Sequence, residues 1–164
     1  MSASLNSRPL KLHATSSGFT LIELMVTIAV LAIIAGIATP NISLQIANQR
    51  AKSTAATLNT ALREAKVESI IRRQILTMTY TNKSGSADSG SISVKDPSDK
   101  VVATYTYDAR STIKSTTNAI KFRPTKIADE RVYTVCDSNT STSPRQVSVN
   151  ALATITQTLG GSCT

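Results

Sequence analysis

The chain has no tryptophan, two phenylalanines (Phe19 and Phe122), two cysteines (Cys136 and Cys163) and one histidine, His13. Each scarcity excludes something. Two cysteines with no histidine near them make a poor metal site, so no metal is expected. No glycine-rich phosphate loop and no paired-acid constellation occurs; Asp129-Glu130 lies in an expected turn and reads as solvated. The chain is therefore not expected to be an enzyme or to hold a cofactor. It also lacks an internal repeat. Its 164 residues suit one modest domain plus an appendage. Apolar residues are scarce outside Phe19–Ala38, where Ser, Thr, Asn and Lys dominate, so the soluble part has a thin core.

What is present is concentrated at the start. Residues 1–18, MSASLNSRPLKLHATSSG, are polar and basic. Residues 19–38, FTLIELMVTIAVLAIIAGIA, carry one charge, Glu23, and two hydroxyls, Thr20 and Thr27. A helix of that length spans about 30 Å, the thickness of a bilayer's hydrocarbon core. Arg8 and Lys11 precede the block with no acid beside them, which places the short leader in the cytoplasm and the remainder on the far side. The formal charge of +8 falls to +6 (8 minus 2) without that leader. A basic balance fits an anionic partner, such as nucleic acid or a lipid surface.

Three readings of the apolar block compete. A secretory signal peptide has a shorter apolar stretch and a small-residue cleavage site after it, which Ala35, Gly36 and Ala38 imitate. A plain signal anchor explains the length and the flanking charge. Neither explains Glu23, because a charge inside a bilayer costs about 2–3 kcal/mol and generally has a partner. Snorkelling to the headgroups is the alternative role for it.

Gly18-Phe19-Thr20-Leu21-Ile22-Glu23-Leu24, continued by Met25, Val26, Ala29, Ile33 and Pro40, resembles the class III signal sequence of type IV pilins and type II secretion pseudopilins. The resemblance implies that a prepilin peptidase cuts between Gly18 and Phe19 and N-methylates Phe19. His13 would be lost with the leader. It further implies that Glu23 of one subunit pairs with the Phe19 amine of its neighbour. That pairing would neutralise two charges that are costly to bury singly, and would set the axial register. Pro40 marks a bend and a site of melting in the family's long first helix; a simple helix stop is the alternative.

Beyond Pro40, Ala51, Ala55, Leu58, Leu62, Ala65 and Ser69 recur at helical spacing, a narrow stripe suited to lying on a sheet. Arg50, Lys52, Arg63, Lys66, Arg72 and Arg73 are expected on the other face, with Glu64 and Glu68 able to bridge some of them. The helix is expected to run to about Gln74. Short β-branched runs then predict strands at Ile75–Thr81, Ser91–Val94, Val101–Tyr107, Ala119–Arg123, Arg131–Cys136, Arg145–Val149 and Ala151–Thr156. Helix and strands together predict an α+β class, and the resemblance implies a type IV pilin fold with a long N-terminal helix packed on an antiparallel β-sheet head. Its divisions are a cleaved leader (1–18), a transmembrane and filament-core helix (19–40) and a periplasmic head (41–164). In an exported head Cys136 and Cys163 would form a disulfide closing a loop of about 27 residues, worth roughly 3 kcal/mol; two unrelated thiols are the alternative.

Ile120-Lys121-Phe122-Arg123-Pro124, followed by a strand ending in Cys136, is similar to the FimT/FimU and GspH group of minor pilins and pseudopilins. Thr125 and Lys126 stand where that group often has a glycine. Asn150-Ala151-Leu152-Ala153 has no arginine where the DNA-binding branch has its basic tail. The resemblance therefore implies a minor pilin of a type IV pilus that primes or caps filament assembly, probed against two other functions. One is DNA capture in natural transformation, with Lys114, Lys121, Arg123, Lys126, Arg131 and Arg145 as contacts or simply as a solvated basic surface. The other is a GspH-like pseudopilin of type II secretion. Implied partners are other minor pilins, the major pilin, prepilin peptidase, an inner-membrane assembly platform and, before assembly, membrane lipid. The implied location is the bacterial inner membrane as a single-pass protein, and the tip of an extracellular pilus.

Overall fold

The structure, a computed structural model, describes residues 18–163, with the backbone alone for 38–41. The leader up to residue 17, with Arg8, Lys11 and His13, lies outside the described residues, as does the side chain of Pro40. One helix, α1 (Leu21–Arg72), is helical through Pro40 and precedes eight strands. The chain divides into an N-terminal unit ending at Thr39 and a head beginning at Pro40.

The head contains β1 (Leu76–Thr81), β2 (Ser89–Lys95), β3 (Val101–Asp108), β4 (Ser111–Lys114), β5 (Ala119–Phe122), β6 (Arg131–Asp137), β7 (Arg145–Val149) and β8 (Ile155–Leu159). They form two four-stranded antiparallel sheets, ordered β3-β2-β1-β5 and β4-β6-β7-β8. Alternation explains which side of each strand is inside. Leu76, Met78 and Tyr80 of β1 are buried while Thr77, Thr79 and Thr81 face away. The same period holds in β2, where Ile92 and Val94 are buried.

The α1 stripe packs against both sheets. Ala47, Ala51, Ala55, Leu58, Leu62, Ala65 and Ser69 are fully buried, as is Ala61. Of these, Ala55, Leu58, Ala61, Leu62 and Ala65 share one core with Leu76, Met78, Ile120 and Phe122 from the first sheet and Ile113, Tyr133, Val135 and Val147 from the second. Five buried alanines along the helix keep that face narrow, so a core with few large side chains still closes. Each sheet edge is engaged. The Tyr105 hydroxyl of β3 donates to the Glu64 carboxylate on α1, and Asn59 Nδ2 of α1 donates to Gln157 Oε1 of β8 (3.4 Å). On β5, Lys121 O accepts from Asp129 N (3.2 Å), and Phe122 bridges to Ala128. On β4, Asn82 Oδ1 accepts from Ile113 N (2.7 Å) and Asn82 Nδ2 donates to Ile113 O (2.9 Å). Asn82 thus ties the end of β1 to the other sheet.

Two strands differ from the sequence expectation. β4 went unassigned because four residues just past a crossover carry too short a pattern to read. The expected strand at Ala151–Thr156 is a tight turn followed by β8. Asn150 makes that turn: its N donates to Thr154 O (3.1 Å), and its Oδ1 accepts from Thr154 N (2.8 Å).

Among the described residues, four non-glycine ones adopt the left-handed backbone: Arg73 (φ 54°), Asp99 (φ 64°), Lys126 (φ 63°) and Ala153 (φ 52°). Arg73 terminates α1, a position that usually holds glycine. Lys126 ends the turn Arg123–Lys126; its N donates to Arg123 O (3.1 Å). Replacing Lys126 by glycine removes that backbone strain, so Lys126→Gly is expected to raise unfolding stability by about 1 kcal/mol in urea titration. The opposite case is Gly90 of β2, where an added Cβ would lie 2.2 Å from Tyr107 Cζ. Gly90→Ala is expected to lower stability by about 2 kcal/mol in the same assay.

Candidate assembly segment and head anchor

In the N-terminal unit Thr20 caps α1. Its hydroxyl oxygen accepts from Glu23 N (3.2 Å) and its carbonyl accepts from Leu24 N (3.2 Å). Thr-x-x-Glu is the spacing of a capping box. It sets Glu23 in the first turn, where a negative charge is favoured by the helix dipole. The three-residue spacing from Thr20 to Glu23 is the sequence signal for this cap, which the sequence analysis did not draw. Thr27 Oγ1 donates to Leu24 O (2.8 Å), so that hydroxyl is satisfied within the helix too. Gly18 and Phe19 precede the helix, and a side chain built at Gly18 would meet nothing within 4 Å. The bond between them is therefore in non-helical backbone, the form a peptidase can bind.

The apolar side chains of this unit are exposed on every side. Leu21, Ile22, Leu24, Met25 and Val26 all stand at least half open, and they point in directions spread around the helix. None of the described residues of the unit covers them. Length and composition suffice to cross a membrane.

The head is pinned to its stretch of α1 by a bidentate ion pair. Arg50 Nε donates to Asp137 Oδ2 (2.9 Å) and Nη2 to Oδ1 (3.0 Å). The Asp137 side chain is 0% exposed and that of Arg50 17%. Burial pushes the Asp137 carboxyl up, but hydrogen bonds from Arg50 and from Asn139 N outweigh it and hold the carboxyl below its ordinary value. The hydrogen bond to Asp137 raises the Arg50 pKa against the opposing effect of burial. Arg50 was expected on the solvated face of the helix. The structure turns it inward, because Asp137 at the end of β6 offers a carboxylate 87 residues away in sequence. The residue before Asp137 is Cys136, joined to Cys163 by a disulfide with Cα atoms 5.8 Å apart. The end of β6 therefore holds both the helix and the C-terminal tail.

The prokaryotic N-terminal methylation motif matches residues 14–39, and the model of the type II transport protein GspH matches residues 54–153. The chain belongs to the GspH family. No curated protein matches the chain significantly. In fold, the GspH-family chain is similar to the type IV minor pilin FimU of Pseudomonas aeruginosa PAO1 in two crystal forms. One has 17% identity, covers 69% of this chain and 99% of FimU, and has a TM-score of 0.54. The other has 16% identity, covers 77% and 98%, and has a TM-score of 0.52. The fold is that of a type IV pilin, and the chain is a membrane-anchored member of a family of filament subunits rather than enzymes. Such subunits assemble with other pilins and are processed by prepilin peptidase.

The six basic residues singled out in sequence do not share one face of the GspH-family head. Lys114 pairs in register with Thr134 on the outer side of its sheet, whereas Arg145 pairs with the buried Val135 and so belongs to the inner side. The Nε atoms of Arg131 and Arg145 are buried, and Arg131 Nη1 donates to Thr116 Oγ1 (2.6 Å). Arg123 pairs with Asp129 (3.0 Å) and Lys114 Nζ donates to Cys163 O (2.6 Å). Lys121 and Lys126 are exposed.

Removing Arg50 leaves a buried carboxylate without its partner, so Arg50→Ala is expected to cost about 3 kcal/mol in chemical denaturation. The folded-state pKa of Asp137 is depressed. Its contribution is therefore complete above the unfolded value near 4 and is lost as pH falls through the folded value. Wild-type stability should drop with acid below about pH 4, and Arg50→Ala should flatten that drop.

Proposed function

We propose that the mature chain begins at Phe19 and serves as a minor pilin of a type IV pilus, helping to prime or cap the filament from its tip. The observation that carries this reading is the capped helix, apolar on all sides, with one carboxylate in its first turn. A surface of that kind must be covered by lipid before assembly and by neighbouring helices afterwards. Cleavage between Gly18 and Phe19 creates an amine beside a helix start that already holds Glu23. The amine of one subunit and Glu23 of the next then neutralise each other in the apolar interior, which fixes their axial offset. The head lies beyond the membrane, in the periplasm. Pro40 serves as the place where the helix opens as the subunit leaves the bilayer.

The family model favours one other filament, the type II secretion pseudopilus, since its description is that of a transport protein. The same N-terminal chemistry serves both. DNA capture draws support from net charge alone, and a gel shift at low salt that vanishes with added salt would be its signature.

Intact-mass and N-terminal analysis of protein from native membranes should give a chain starting at methylated Phe19. A chain starting after Ala38, or one retaining Met1, would sink the reading. Glu23→Val should still insert in the membrane, while its recovery in sheared pili falls about tenfold or more, since an unpaired buried amine costs several kcal/mol. Undiminished recovery would count against the pairing. Recovery of the wild type only in secretion filaments would favour the pseudopilin.

A further inference from the structure

Three connections converge at the end of the head farthest from Ile42. Lys66 Nζ on α1 donates to Ala153 O (2.9 Å), Ala128 N donates to Ala151 O (3.1 Å), and Leu76 at the start of β1 pairs with Phe122. The end of α1, the turn 123–127 and the turn 150–153 are therefore neighbours. Each presents an aliphatic side chain to solvent. Leu152 is 71% exposed and Ile71 68%, with Val67 one helical turn before Ile71 and Ile127 on the middle turn also open. Cations stand among them. Arg63, Lys66, Arg73 and Lys126 have no carboxylate partner among the described residues, whereas Glu68 and Asp129 are already paired with Arg72 and Arg123.

Three of the four left-handed non-glycine residues, Arg73, Lys126 and Ala153, sit in these same connections. At two of them a cation occupies a backbone conformation that glycine would adopt without strain. Those two cations thus cost the fold something and need a return outside it.

We infer that this end of the head is a docking surface for an anionic lipid bilayer. Aliphatic side chains at the tips of separate connections can each enter the interface, and the surrounding cations match anionic headgroups. An acidic protein surface fits less well, because none of the tip residues is aromatic and the aliphatics stand on separate elements. The inference uses only the head, so it holds equally for a pilus or a secretion filament and does not depend on the Phe19–Glu23 pairing.

The test uses the full chain, held by its apolar segment in phosphatidylcholine nanodiscs, mixed with heavy vesicles. Co-sedimentation is expected with vesicles containing phosphatidylglycerol and not with pure phosphatidylcholine, and it should weaken with added salt. The double variant Arg73→Gly/Lys126→Gly removes two cations while relieving backbone strain, so loss of folding cannot explain its behaviour. Its capture should fall about tenfold or more. Leu152→Ser should lower capture several-fold on the same vesicles. Capture no better than that of empty nanodiscs, capture equal on neutral lipid, or capture unchanged by either set of substitutions would overturn the proposal. Recruitment of an acidic protein with no recruitment of anionic vesicles would overturn it as well.

Discussion

The face of α1 that carries alanine decides how the head is built. Ala47, Ala51, Ala55, Ala61 and Ala65 have no exposed surface, and both sheets close on that face. A larger residue at one of these positions would push the helix away from two layers at once, since each alanine is enclosed by close-packed neighbours. Leu58 and Leu62 supply the bulk between them. Tyr80 and Tyr133 meet edge-on (ring centroids 5.9 Å apart) in the same core. A thin core therefore suffices because its central element is narrow.

Two further attachments fix the helix against sliding along that smooth face. The Arg50–Asp137 pair joins it to the end of β6, and Lys66 holds the turn before β8 through Ala153 O. A stripe of small residues discriminates poorly between registers; directional hydrogen bonds at both ends supply the discrimination. In the N-terminal unit none of the described residues covers the same helix. One continuous element thus follows two sets of rules, and the apolar pattern changes from all-round to one-sided.

Much of this was legible in the sequence, for physical reasons that also mark the limits. The motif from Gly18 to Leu24 is dense and specific, and the stripe from Ala51 to Ser69 keeps helical spacing over five turns. The β-branched runs placed most strands within a residue or two. What local pattern could not carry was pairing across the chain. The division of eight strands into two sheets depends on crossovers such as the one between β3 and β4. The inward turn of Arg50 depends on a carboxylate far away in sequence, and the role of Asn82 depends on two backbone atoms of Ile113. The basic residues show the same limit: listing them by charge gave six, while register sends Lys114 and Arg145 to opposite sides of one sheet. That Arg73, just past the end of α1, belongs to the same end of the head as the Lys126 turn follows only from the pairing of Leu76 with Phe122.

Each edge strand is met from outside its sheet. Side chains of α1 bond to Tyr105 of β3 and Gln157 of β8, the segment at Ala128-Asp129 bonds to the β5 backbone, and Asn82 binds both Ile113 N and Ile113 O on β4. A filament crowds many heads into a small volume and holds them there, the condition under which an open strand would recruit a stranger's strand and grow an amyloid-like ladder. On β4 and β5 part of the outward backbone row is already taken, so a neighbouring head finds fewer backbone groups there to pair with.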